Sequence, residues 1–467
     1  MLVKNDTDSL FLFYSLYSNV NNGHSKLRNH LSKFIETTAS TINKQSFALC
    51  KIADKVSLKA AFVDWVHRFV ELKDRFDLLM LNGFASDSAF GITVYQSIQS
   101  GVNQNARASE FTSLFIDETL RRSSKSKSED DFGKESCKTM IVFKFLEEKD
   151  LFERYYSQHL AKRLLNIKNI NLESERAMIF KMKSECGAGF TTKFEGMLRD
   201  VEISNELSVG FRQCHDDLTI DVSVLVITSN YWPSQSKISQ GTFPEPIQSI
   251  ALKFQAYYLG KHTGRKITWL TNLATSDIIA NFDLCRREVN VSNCAMIILL
   301  SVFNTLTGSI SFQAIKERLC DFSEIDLSRT LQSLSLGKYR ILSKLPSTKV
   351  VSDSDLFCIN QEFTSLLVKI KIPNIVSQVT QENQVEAKET MEKTLSERKF
   401  VIECCLVRIM KSYKKLNHSE LISKAISQLS SQFMPDVTIV KQKIEGLIER
   451  DYIRRDEEEK GVYHYVA

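Results

Sequence analysis

An isopeptide bond needs a lysine amine that solvent can reach, and the run Val401 to Tyr413 offers one at Lys411. Ile402, Cys405, Leu406, Ile409 and Met410 recur at helical steps and form one apolar stripe. Cys404, Arg408, Lys411 and Lys415 follow at steps of four and three on another face, which turns the Lys411 amine toward water. By pattern alone this is an ordinary solvated helix lysine. Arg408, Lys414 and Lys415 add a local positive field suited to an acidic partner surface.

Two further groups invite a functional reading. The stretch Asp217 to Thr228, DLTIDVSVLVIT, alternates and is rich in Val and Ile, which predicts a strand; Lys266 to Leu270 and Glu288 to Val291 supply shorter ones. Val222, Val224, Val226, Ile267 and Trp269 are either partner contacts on that sheet or plain core residues. Lys149, Arg154, Lys162 and Arg163 form a basic group that would hold an acidic tail by long-range attraction. A solvated helix face explains it equally well.

Catalysis finds little support. There is no phosphate-binding glycine loop, and Gly187-Ala188-Gly189 alone is too weak a signal. Cys214 and His215 are sequence neighbours whose side chains point apart, with no third group to orient the base. The eight His lack metal-ligand spacing, and the ten Cys contain no C-x-x-C pair. No catalytic residue, metal or cofactor is expected. Scattered cysteines also argue against a disulfide framework.

The elements that must position these groups are mostly helical. With 467 residues, 43% hydrophobic and 25% charged, the chain is long enough for three or four ordinary domains. Just 6 Pro and 16 Gly favour long uninterrupted helices. The longest strongly apolar stretch, Cys294 to Phe303, is about half of what a membrane span needs. Asp6 and Asp8 beside a short apolar run do not make a secretory signal, so a soluble protein of cytoplasm and nucleus is expected.

Residues 1–122 read as helices, with Phe62, Trp65, Val66, Phe69, Val70, Leu72, Phe76 and Leu79 at helical spacing. A polar linker, SSKSKSEDD, follows at 123–131. Residues 136–185 resume the helical pattern, and 186–290 mix helix and strand. Residues 291–375 and 399–467 are a weak repeat, each with three helices and then a two-stranded wing. The first copy places helices at Cys294 to Phe303, Phe312 to Leu319 and Glu324 to Leu336, with strands at Tyr339 to Ser343 and Leu356 to Ile359. The second places helices at Val401 to Tyr413, Ser419 to Leu429 and Val437 to Arg450, then strands at Tyr452 to Arg455 and Val462 to Val466. Residues 376–398 are a polar connecting helix or arm.

Several of these runs, in this order, resemble the cullin family. They are LKDRFD (Leu72 to Asp77), FIDETL (Phe115 to Leu120), DLFERYYSQHLAKRLL (Asp150 to Leu165), KSECG (Lys183 to Gly187), FEGMLRD (Phe194 to Asp200), NYWP (Asn230 to Pro233), YYLGKHTGRK (Tyr257 to Lys266), VRIMK (Val407 to Lys411), QLSSQF (Gln428 to Phe433) and the terminal VYHYVA. The resemblance implies a mainly α fold with a smaller α/β part: a helical cullin repeat, a four-helix bundle, an α/β domain and two winged-helix units. It also implies a non-catalytic scaffold of a ubiquitin ligase complex. A RING-box protein would add a strand to the α/β sheet at Val222, Val224, Val226, Ile267 and Trp269. Through it a ubiquitin-conjugating enzyme would be held, with Lys149, Arg154, Lys162 and Arg163 as its basic contacts. Lys411, last in VRIMK, would accept the ubiquitin-like modifier (neddylation).

The family's first stalk repeat, which carries the substrate-adaptor surface, has no counterpart here, so adaptor binding in the usual way is not expected. GLIERDYIRRD leans toward the type that binds BTB-domain adaptors. Two alternatives stay open. One is an inert or dominant-negative fragment. The other is a winged-helix nucleic-acid regulator, for which Val437 to Arg450 offers Lys441, Lys443 and Arg450 against Glu445 and Glu449.

Overall fold

The computed structural model describes residues 2, 6–51, 55–123, 129–166, 170–215, 220–233, 243–245, 247–270, 274–283, 285–304, 308–320, 322–348, 350–372, 379–456, 459 and 461–466. In chain order the first nine helices are α1 (Thr7–Ser18), α2 (Gly23–Lys51), α3 (Lys55–Gly83), α4 (Ser88–Asn103), α5 (Ala108–Ser123), α6 (Glu129–Phe145), α7 (Lys149–Asn166), α8 (Leu172–Cys186) and α9 (Ala188–Cys214). Then come α10 (Ile247–Lys261), β1 (Thr275–Asn281), β2 (Arg286–Ser292), α11 (Asn293–Ile298) with a π-turn over Leu299–Phe303, β3 (Ile310–Ser311), α12 (Phe312–Arg318) and α13 (Glu324–Leu336). The remainder is β4 (Leu342–Leu345), β5 (Leu356–Ile359), β6 (Lys369–Lys371), α14 (Val379–Tyr413), β7 (Lys415–Asn417), α15 (His418–Leu429), α16 (Val437–Glu449), β8 (Ile453–Arg455) and β9 (Val462–Tyr465).

These elements form two compact units. One joins 1–198, 230–233 and 386–467; the other joins 199–229 and 234–385. In the first, the expected apolar spacing of α3 becomes its packing face: Trp65, Val66 and Phe76 are fully buried. A polar bond chain crosses that core, with Trp65 Nε1 donating to Asn43 Oδ1 at 2.8 Å and Asn43 Nδ2 donating to the Gly101 carbonyl at 2.9 Å. Each donor is satisfied, so the burial costs little. Two of the quoted motifs meet at Gly196, where a Cβ would lie 2.5 Å from the Tyr231 ring; only glycine fits that approach.

The C-terminal module of this unit packs α14, α15 and α16 around Leu406, Met410, Leu421, Val440, Ile444 and Tyr463. Its sheet has the order β7-β9-β8, all antiparallel. The helix read at Val401 to Tyr413 is the end of the longer α14, which begins at Val379 and so takes in the described part of the polar arm. Lys414, in the left-handed region at φ 63°, stops it.

In the second unit, β1 runs antiparallel to β2 and β6 parallel to it. A second sheet, β3-β5-β4, forms the wing of the first winged helix. That wing is pinned from inside: the fully buried Lys344 Nζ lies 2.7 Å from Asp355 Oδ2 and donates to the carbonyls of Pro346 and Val350. The Lys344 ammonium holds the Asp355 carboxyl down at about 2.

The structure corrects two strands. Residues 221–228 and 265–270 are extended, yet neither pairs with a strand among the described residues; 217–219 lie outside them. Alternation shows that a segment has two faces, and does not supply the neighbour a ladder requires. Glu288 to Val291 is part of β2 as expected.

Candidate functional site

Lys411 lies near the end of α14, between Met410, fully buried, and the exposed Ser412. Ile402, Cys405, Leu406, Ile409 and Met410 are all buried, and Lys411 is exposed. Among the described residues its amine makes no hydrogen bond or ion pair. Its basic neighbours are each engaged: Arg408 Nη2 donates to Gln428 Oε1 at 3.0 Å, Lys415 Nζ lies 3.3 Å from Asp456 Oδ2, and Lys414 Nζ sits 4.9 Å from the Tyr465 ring centroid. The arrangement leaves the Lys411 amine unencumbered beside three engaged basic neighbours near the end of α14.

Val222, Val224, Val226, Ile267 and Trp269 are brought together. All five are half-buried against Leu207, Phe211, Ile250, Phe254 and Tyr258 of the second unit. Residues 221–228 use one backbone edge only. Val226 N–H donates to Ser204 Oγ at 2.8 Å, and Thr228 N–H donates to Asp200 Oδ2 at 2.7 Å. Ser208 Oγ donates to the Val224 carbonyl at 3.2 Å, and Arg212 Nη2 to the Val222 carbonyl at 3.4 Å. The N–H and C=O groups of Ser223, Leu225 and Ile227 bond to nothing among the described residues. Asp200, Ser204, Ser208 and Arg212 were missed by sequence reasoning; their spacing of four along one helix was the available signal.

The basic group is broken up. Arg163 is not a surface residue: its side chain is 1% exposed. It forms a fork with Glu175 (Nε to Oε1 2.7 Å, Nη2 to Oε2 2.9 Å) and reaches Asp117 Oδ1 at 2.7 Å through Nη1. Burial works against its charge, but the two carboxylates raise its pKa above the ordinary value. Arg163 therefore cannot meet a conjugating enzyme. Its position was legible: 152, 156, 160 and 163 fall on the buried stripe of α7.

Lys149 and Arg154 are half-buried and engaged within the first unit. Arg154 pairs with Glu397 of α14, and Lys149 Nζ lies 5.8 Å from the Phe143 ring centroid. Lys162 is exposed.

Those contacts belong to a latch that sequence reasoning also missed. Arg398 clasps Asp150 (Nε to Oδ2 2.6 Å, Nη2 to Oδ1 2.8 Å) and reaches Glu148 at 3.2 Å. Its guanidinium covers the Phe433 ring at 4.9 Å, and the Lys149 and Asp150 amides donate to the Gln432 carbonyl at 3.0 and 3.2 Å. The start of α7 thus grips both α14 and the α15–α16 turn. Partners 248 positions apart leave no local trace in a sequence.

For nucleic acid the third helix of the C-terminal module is poorly equipped. Lys443 and Arg450 both pair with Glu403, at 3.0 and 2.5 Å, and Arg455 pairs with Glu445. Cations already neutralised release few phosphate counterions. Cys214 and His215 are not brought into contact; the His215 ring packs on Phe211 at 4.7 Å. Among the described residues no cluster of His, Cys, Asp or Glu is placed to hold a metal, and no helix is long and apolar enough to cross a membrane.

Three family models match along the chain: the cullin alpha solenoid domain at residues 1–208, the cullin alpha+beta domain at 226–363 and the cullin protein neddylation domain at 397–459. Curated relatives include Cullin-3A of Arabidopsis thaliana, 36% identical over 471 residues, covering 100% of this chain and 62% of the relative. Cullin-3 of Dictyostelium discoideum is 34% identical over 505 residues, covering 100% and 64%. Cullin-4A of Homo sapiens is 36% identical over 474 residues, covering 100% and 59%. The chain therefore spans about three fifths of the length of these relatives. Equal identity to Cullin-3A and Cullin-4A leaves the leaning toward one adaptor type undecided.

Proposed function

The chain belongs to the cullin family, and from that premise we propose that it is a scaffold that docks a RING-box protein on the open edge of 221–228 and is switched by a ubiquitin-like modifier at Lys411. One observation carries the reading. Side chains of α9 bond the Thr228 and Val226 amides and the Val226, Val224 and Val222 carbonyls of an extended, partly apolar segment, whereas the backbone groups of Ser223, Leu225 and Ile227 bond to nothing among the described residues. Such an edge takes an added strand, with affinity from main-chain bonds and specificity from alternate side chains. The family's RING-box partner supplies a strand of this kind. A conjugating enzyme held by that RING subunit then meets substrate at high local concentration, so the scaffold raises the rate by positioning.

With Arg163 buried, Lys162 is the exposed basic residue of this group offered to the conjugating enzyme. The latch of Arg398, Asp150 and Gln432 holds the C-terminal module closed, and modification at Lys411, on the same helix α14, opens it. Substrate-adaptor recruitment is outside this reading.

The test is retention. Mixed with a purified RING-box protein at moderate salt, the chain is expected to co-elute with it at one to one. It is expected to leave duplex DNA unshifted under the same conditions. Separate elution of the two proteins overturns the reading.

A further inference from the structure

We infer that α9 acts as a surrogate strand, a polar rail whose side chains fix the register of 222–228 and thereby present Ser223, Leu225 and Ile227 for pairing. The rail residues are Asp200, Ser204, Ser208 and Arg212, and they meet Thr228, Val226, Val224 and Val222 in turn. Four residues along the helix answer two residues along the segment, in opposite directions. Elementary geometry explains the match: four helical residues advance about 6 Å, and two extended residues about 6.6 Å.

The match is imperfect, and the structure shows the drift. Closest contacts run 2.7 Å at Asp200, 2.8 Å at Ser204, 3.2 Å at Ser208 and 3.4 Å at Arg212. The long side chain stands at the far end, where the gap is widest. Arg212 also pairs with Asp221 Oδ1 at 2.8 Å, which ties the first residue of the segment down. Ser204 is both acceptor and donor; its one hydrogen has the Asp200 carbonyl at 2.6 Å and the Val226 carbonyl at 3.1 Å within reach.

Register matters because a slip of one residue exchanges the faces. In the observed phase Val222, Val224 and Val226 pack toward Leu207 and Phe254. The backbone groups of alternate residues then project from the opposite edge. A segment slipped by one residue would turn Ser223, Leu225 and Ile227 toward that core and expose the three valines in their place. Ser204, Ser208 and Arg212 are therefore positioning residues for an extended segment of the RING-box subunit; this rests on the docking reading above.

The experiment compares dissociation of a RING-box protein from the wild-type chain, from Ser204→Ala/Ser208→Ala and from Arg212→Met. The double variant is expected to release it about 10-fold faster, because the segment loses its bonds to both hydroxyls. Arg212→Met, whose site is half-exposed and outside the core, is expected to give about 3-fold with an unchanged melting temperature. If the wild-type chain binds no RING-box protein, the docking reading fails. If it binds and both variants release it at the wild-type rate, the rail is overturned and docking stands. Should the double variant unfold, the Arg212→Met rate decides.

Discussion

A Lys411→Arg chain is expected to accept no modifier and to lose all modifier-dependent stimulation of ubiquitin transfer, while keeping its melting temperature and its RING-box partner. Arginine preserves charge and helix propensity on this exposed face, so folding is untouched. Its guanidinium stays protonated and does not serve as the attacking amine. Nearby lysines are poor substitutes: Lys415 is held by Asp456, Lys414 lies over Tyr465, and Lys424 Nζ lies 4.3 Å from the Tyr413 ring centroid. Adding Arg398→Glu should bypass the block. Charge reversal opposite Asp150 and Glu148 opens the latch without any modifier and restores transfer toward the modified wild-type rate. Conjugate mass and single-turnover transfer rates check both arms. Full stimulation of Lys411→Arg by the modifier, or a silent Arg398→Glu, contradicts the switch.

The second large effect is on stability. Arg163→Met should destabilise the first unit by roughly 3–5 kcal/mol, because it strands Glu175 as a buried carboxylate and leaves Asp117 with Arg121 alone. Methionine fills much of the same volume, so the loss is electrostatic more than steric. Acid should narrow the deficit. Burial raises the Asp117 pKa, but Arg163, together with His159 and Arg121, more than offsets this and holds it below the ordinary value. A depressed carboxyl contributes stability above the unfolded pKa near 3.8, and loses it as pH falls through the folded value. The variant has lost that contribution already, so the gap between wild type and variant narrows as pH falls from 3.8 through the lower folded value. Urea unfolding at pH 7 and at about pH 3 measures it. A deficit near 1 kcal/mol at pH 7 would mean that Arg163 is no more than a surface-type ion pair.

What the residues disclosed follows from the range of the interactions involved. The burial of α3 and the span of α13 at Glu324–Leu336 were legible, because helical spacing is local and strongly apolar there. β3 and β7, of two and three residues, were not; such strands exist through pairing with β5 and β9. The early start of α14 was masked by polar residues that carry no apolar stripe. Asp217 to Thr228 was read as extended, and its described part is, but its ladder partner is absent from this chain's described residues. Arg163 shows the opposite failure: charge suggested a surface, while its place on the α7 stripe pointed inside. The Arg398 latch depends on distant partners, which only the fold brings together.

Hydrogen–deuterium exchange of the chain, alone and with a RING-box protein, probes the open edge residue by residue. In the free chain the Val226 and Thr228 amides, bonded to Ser204 and Asp200, should exchange more slowly than those of Ser223, Leu225 and Ile227. On adding the partner, the latter three should slow by at least about tenfold, as expected for newly formed backbone bonds. Protection elsewhere in the chain, with these three amides left as fast as before, would contradict the account.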